Sequence, residues 1–152
     1  MASEEVACPL TRGERILVAV DGSDYSKMAL DQAISLGATC NSTIFVVSVI
    51  DLYPGQLAVA PSLEEKLAAE VRQHLEEAKA KVDAADIPCE TIVHIGGQPH
   101  EAIIQEAKQK DIDLIVMGTH GRTGLARVLM GSVAQKVIGH APCPVLVVPT
   151  LK

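Results

Sequence analysis

Short aliphatic runs alternate with helical patterns along this chain of 152 residues, and that alternation predicts a parallel sheet whose strands are joined by crossover helices. The first run, Ile16 to Asp21, sets Ile16, Leu17, Val18, Ala19 and Val20 in succession, as in a strand buried on both faces. A turn follows at Asp21-Gly22-Ser23-Asp24. A helix is then expected from about Tyr25 to Leu36, with Ser23 or Asp24 as cap, Ala29, Leu30, Ala33 and Ile34 as its inward stripe, and Gly37 as its stop. Strand two, Thr43 to Ile50, is β-branched and ends at Asp51, and Pro54, Gly55 and Pro61 mark the longest loop after it.

The second helix opens on a capping box, Ser62-x-x-Glu65, and places Leu63, Leu67, Val71, Leu75 and Val82 near one face, with Glu64, Lys66, Arg72, Glu76, Glu77 and Lys79 on its solvated side. Strand three is Glu90 to Ile95. Gly96-Gly97-Gln98-Pro99 leads into a short helix with Pro99 in its first turn and Ala102, Ile103, Ile104 and Ala107 inward. Strand four, Leu114 to Met117, is followed by a glycine-rich segment, a helix from about Ser132 to Gly139, and strand five, Pro144 to Val148. The expected fold is one open, five-stranded parallel sheet with helices on both faces. Right-handed crossovers and the strand order 3-2-1-4-5 usual for this class make the gap between strands one and four a topological switch point, where ligands bind. Asp21 and Gly118 stand at strand ends beside that gap.

At this length one domain buries roughly 70% of the surface its unfolded chain exposes, so one core suffices. The longest apolar stretches, such as Ile44 to Val47 and Val145 to Val148, fall far short of the ~20 residues of a membrane helix. Met1 to Thr11 carries Glu4 and Glu5 with no basic start ahead of an apolar run, unlike a secretory leader. Residues 1–13 are expected to be a flexible tail, residues 14–152 the domain, and the location cytoplasmic. A formal charge of −6 and the aromatics Tyr25, Phe45 and Tyr53 leave neither a basic field nor stacking platforms for nucleic acid. Cys8, Cys40, Cys89 and Cys143 stand far apart with no C-x-x-C pair, and are expected to be free thiols of a reducing compartment.

The chemistry concentrates in Gly118-Thr119-His120-Gly121, nine residues, then Gly131-Ser132: the pattern G-x2-G-x9-G-S, set between a buried strand and a helix. A phosphate chain needs close approach of bare backbone N–H groups, which glycine permits. A helix starting near Ser132 would turn free N–H groups and about half a positive charge toward a phosphate, with the Ser132 hydroxyl as a further donor. The segment is neither a Walker A loop, lacking Gly-Lys-Ser/Thr, nor a dinucleotide fingerprint, since the first turn offers Gly22 alone.

With this spacing the chain resembles the ATP-binding branch of the universal stress protein family. The resemblance extends to Val18-Ala19-Val20-Asp21-Gly22-Ser23, to Val49-Ile50-Asp51, and to Cys143-Pro144-Val145-Leu146-Val147-Val148-Pro149, covering nearly the whole chain from Glu14. It implies a Rossmann-like, adenine nucleotide alpha hydrolase-like domain that binds ATP, with Mg²⁺ or Mn²⁺ held mainly by the phosphates. By the same resemblance Asp21, beside Val20, reaches the ribose, the Val49 backbone meets the adenine edge, Met117 and Gly118 line base and sugar, and Gly121, Gly131, Ser132, Val133 and Ala134 wrap the phosphates. Ala134 departs from members that carry Ser or Thr there, which removes one hydroxyl. His120, Arg122 and Arg127 fit phosphate partners and equally fit solvated loop residues; Asp21 also fits a helix-capping carboxylate.

His94-Ile95-Gly96-Gly97 resembles the HIGH motif of nucleotidylyl transferases but stands in the third connection rather than after strand one. A response-regulator receiver would need an acceptor aspartate where Gly96-Gly97 stands. No group clearly serves as the base or metal ligand of a competent ATPase. The expected function is therefore a nucleotide-dependent switch or sensor with slow or no hydrolysis and a regulatory protein partner; a nucleotide-independent interaction protein is the rival. Strand five, all apolar from Val145 to Val148 yet at a sheet edge, predicts a two-fold homodimer through that strand, which the resemblance also implies.

Overall fold

The computed structural model describes residues 6–51, 61–121 and 130–150. The elements follow in the order β1 (Arg15–Ala19), α1 (Asp24–Cys40), β2 (Thr43–Ile50), α2 (Pro61–Ala84), β3 (Cys89–Ile95), α3 (Pro99–Gln109), β4 (Leu114–Gly118), α4 (Ser132–His140) and β5 (Val145–Val148). The five strands are parallel and lie in the order β3-β2-β1-β4-β5, as expected.

Alternation along the central strands divides the interior into two cores. Ile16 and Val18 of β1, Ile44 and Val46 of β2, and Leu114 and Val116 of β4 face α1 and α2. Their neighbours Leu17, Phe45, Val47, Ile115 and Met117 face α3 and α4. Register explains why these layers are dense: Val18 stands level with Val46 on one side and Val116 on the other, and all three are fully buried. Each such aliphatic contributes roughly 1.5–3 kcal/mol by leaving water. Among the described residues no helix is long and apolar enough to cross a membrane.

Four expectations need correction. The second helix, α2, starts at Pro61, so Ser62 lies inside its first turn rather than capping it. Helix α1 does not stop at Gly37 but continues to Cys40 and is capped by Asn41, whose φ of 55° is left-handed. Gly37 is buried inside the helix, where a Cβ would lie 3.1 Å from Ile44 Cδ1, so its role is close approach of α1 to the sheet. Cys8 and Cys40 are not free thiols. They form a disulfide, with Cα atoms 4.6 Å apart, while Cys89 and Cys143 are free. Consequently residues 6–13 are not simply a loose tail, because the bridge ties them to the end of α1 and Leu10 packs on the α1–α2 core. Burial raises both remaining thiols above their ordinary range.

Candidate nucleotide site at the switch point

All strands being parallel, their C-terminal ends lie on one side of the sheet, and a cavity of about 270 Å³ opens there where the order reverses between β1 and β4. The turn after β1 supplies Val20 and Asp21, β2 supplies Val49, β4 supplies Met117 and Gly118, the following loop His120 and Gly121, and the start of α4 Gly131, Ser132, Val133 and Ala134. Every sequence-derived site residue lying among the described residues thus borders one cavity. Arg122 and Arg127 lie outside the described residues.

Asp21 is oriented by its own turn. Ser23, not Asp24, is the N-cap of α1: its Oγ accepts from Ser26 N at 3.2 Å. Asp21 Oδ1 accepts from Ser23 N at 2.9 Å, and Asp21 N donates to Ser26 Oγ at 3.3 Å. One carboxylate oxygen therefore organises the turn. The other, Oδ2, faces Gly121, since a Cβ on that glycine would lie 2.9 Å from it. Gly22 has a φ of +83°, which disfavours any side chain, and the His74 ring of α2 fills the space a Cβ would take, 2.3 Å from Cε1.

The opposite wall is glycine backbone. Gly118 lies so close to α1 that a Cβ would stand 2.6 Å from Tyr25 Cβ. Gly131 N donates to Thr119 O at 2.7 Å, which draws the two ends of the glycine segment together. Gly131 is also the N-cap of α4, and no side chain caps that helix. Its first N–H groups are consequently unspent by a capping side chain, beside the lip where Gly121 and Ser132 stand. His120 lies half-buried, with Nδ1 3.0 Å from Thr119 Oγ1 and its ring 5.0 Å from that of Tyr25. Among the described residues no cluster of three His, Cys, Asp or Glu side chains could hold a metal ion.

A model of the universal stress protein family matches residues 13–149. The chain belongs to that family. A universal stress protein of Methanocaldococcus jannaschii is 36% identical over 138 residues, 89% of this chain and 81% of its own. One from Thermus aquaticus is 37% identical over 134 residues, covering 88% and 96%. Among solved structures, the universal stress protein UspA of Lactobacillus plantarum superposes with a TM-score of 0.82 at 30% identity, over 91% of this chain and 99% of that one. A universal stress protein solved in complex with cAMP gives 0.69 at 28%, over 91% and 98%.

In this universal stress protein the cavity also draws on residues that sequence reasoning did not assign to it. Asp51, just past β2, and Pro99 and Ile103 of α3 line it too. The Gly96-Gly97-Gln98-Pro99 turn was the available signal, because it sets the start of α3 at the same sheet end. His94 is elsewhere: its Nε2 lies 2.6 Å from Oε1 of Glu106, a buried α3 carboxylate, and it does not border the cavity.

Proposed function

We propose that this universal stress protein binds ATP in the cavity between β1 and β4 and acts as a nucleotide-dependent switch. The observation that carries the reading is a convergence. One free Asp21 oxygen, bare backbone at Gly118, Gly121 and Gly131, and an α4 N-terminus without a side-chain cap all border one cavity at the switch point. Asp21 Oδ2 accepts from a ribose hydroxyl, the Val49 backbone meets the adenine edge, and Val20 and Met117 pack the base with aliphatic surface. Gly121, Ser132, Val133 and Ala134 offer N–H groups to the phosphates, while Gly131, whose own N–H is spent on Thr119 O, wraps them as bare backbone, with His120 alongside. Mg²⁺ or Mn²⁺ is carried mainly by the phosphates and water. A relative whose structure holds cAMP supports an adenine nucleotide.

Hydrolysis is slow or absent in this reading. In-line attack needs a group that aligns water at the γ-phosphate. His120 is instead engaged with Thr119 and Tyr25. The protein works in the cytoplasm as a homodimer through β5, whose Val145, Leu146 and Val147 are half-buried at the sheet edge, and passes its nucleotide state to a regulatory protein partner. Solution scattering at micromolar concentration checks the dimer, and a monomer overturns it.

Thermal unfolding of nucleotide-stripped protein with MgATP, AMP, cAMP and GTP tests the site. Adenine nucleotides are expected to raise Tm and GTP to leave it unchanged. No shift with any of them returns the chain to a nucleotide-independent interaction protein. Rapid ATP turnover that disappears in Gly131→Val would overturn the switch in favour of an ATPase.

A further inference from the structure

The Cys8–Cys40 bridge lies at the N-terminal ends of the strands, the opposite end of the sheet from the nucleotide cavity. Cys8 precedes β1 and Cys40 is the last residue of α1, so the bridge closes the β1–α1 unit into a loop. Its surroundings are shaped to it. A Cβ on Gly13 would lie 3.0 Å from Cys8 Sγ and 3.2 Å from Cys40 Sγ, so glycine there leaves the room the two sulfurs occupy.

The anchoring of the strand is independent of the bridge. From Glu14 onward β1 is held by polar contacts of its own: Glu14 N and Arg15 N each donate to Asp113 Oδ2 at 3.0 Å, and Thr43 N donates to Glu14 O at 2.8 Å. Upstream, residues 6–13 rest on Leu10 against the core and on the Ser42 hydroxyl, which donates to Gly13 O. Opening the S–S bond would thus loosen that segment without disturbing the sheet. Both cysteines are half-buried and border an open polar cleft with Arg12, Glu14 and Asp111, which gives a small thiolate a path to sulfur. Cys89 and Cys143 compete poorly, since burial keeps their thiols protonated.

We propose that Cys8 and Cys40 form a reversible redox-modification site, oxidised by small disulfides and reduced by small thiols, whose state decides whether residues 6–13 are fastened to α1. In oxidation the thiolate of one cysteine attacks a sulfur of a disulfide such as oxidised glutathione, breaking its S–S bond and expelling one thiolate. The second cysteine, after losing its proton, attacks the protein-bound sulfur of the mixed disulfide and expels the other. Two protein thiols become one bridge, and one small disulfide becomes two small thiols. Reduction runs the same steps backward. This site works independently of the nucleotide reading, because it lies at the opposite end of the strands.

The native protein is equilibrated in oxidised or reduced glutathione or in dithiothreitol. Thiols are counted without denaturant, and tryptic cleavage at Arg12 is timed and read by mass spectrometry after denaturing reduction. The bridge leaves Cys89 and Cys143 as the free cysteines. The thiol count is therefore expected to rise by two on reduction and to fall by two on reoxidation, with the far-UV circular dichroism unchanged. Cleavage at Arg12 is expected to be at least about tenfold faster in the reduced form, as opening of a local tether allows. Cys40→Ser, checked for folding by the same dichroism, should be cut at the fast rate in every buffer. Three results would each overturn the proposal: a bridge that resists thiols until the protein unfolds, cysteines that stay reduced in oxidised glutathione, or equal cleavage rates in the two forms.

Discussion

Replacing Gly121 by valine separates a nucleotide cradle from a mere connection. Gly121 is exposed, its φ is not left-handed, and what a Cβ would meet is the far end of the Asp21 side chain, so a side chain there should cost the free protein no more than about 1 kcal/mol. Its Cβ, however, would stand 2.9 Å from Asp21 Oδ2, inside the space assigned to sugar and phosphate. Ligand at a hundred times its dissociation constant stabilises the wild-type fold by about 2.7 kcal/mol. For 152 residues at about 2.1 cal/mol/K each, the unfolding entropy is about 0.3 kcal/mol/K, so Tm should rise by about 8 °C. Scanning calorimetry with and without MgATP should show that rise in the wild type and less than about 2 °C in Gly121→Val. Gly118→Ala is the contrast, since its Cβ would press within 2.6 Å of Tyr25 Cβ and 3.0 Å of the Tyr25 carbonyl carbon, and α1 cannot yield without leaving β4. That change should cost about 1–3 kcal/mol with or without nucleotide. A Gly121→Val protein that keeps the full ATP shift would refute the argument.

The bridge closes a loop between residues 32 positions apart, so Cys40→Ser should destabilise the oxidised fold by about 3–4 kcal/mol and lower its Tm by about 10 °C, read by calorimetry. His94→Leu should cost about 2 kcal/mol in urea unfolding, because Glu106 Oε1 would lose its 2.6 Å partner while buried and Lys110 stands 3.5 Å from the other oxygen. Cys89 and Cys143 have thiols raised by burial, so the folded protein holds those protons longer than the unfolded chain. Their contribution is complete below the ordinary thiol range near 9.0 and is lost as pH rises through the folded values. The urea midpoint should therefore fall above about pH 9, and less steeply in a Cys89→Ala, Cys143→Ala double variant.

What the chain discloses about itself depends on how local the deciding interaction is. Strands buried on both faces must be apolar at every position, so Ile16 to Val20 and Ile44 to Val47 announce β1 and β2 without any knowledge of their neighbours. The glycine spacing around Gly118, Gly121 and Gly131 is equally visible, because three bare positions in one loop are costly unless backbone must come close to something. Gly37 and Asn41 are both fair helix terminators by residue type. The choice between them is made by Ile44, which approaches Gly37 from β2, and that contact is tertiary. Glu106 was hidden for a related reason. An acid between Ala102, Ile103 and Ile104 on one side and Ala107 on the other reads as solvated, and it is the cross-element partner His94 on β3 that makes its burial tolerable. Pairing of Cys8 with Cys40 lies further still from local signals. Neither spacing nor flanking residues specify it; it follows from α1 running antiparallel to β1, so that the end of the helix returns beside the start of the strand. The same return brings the turn between them, with Asp21, to the opposite end of the sheet. One βα unit thus carries the candidate ribose contact at its turn and a cysteine bridge at its base, at opposite ends of the strands.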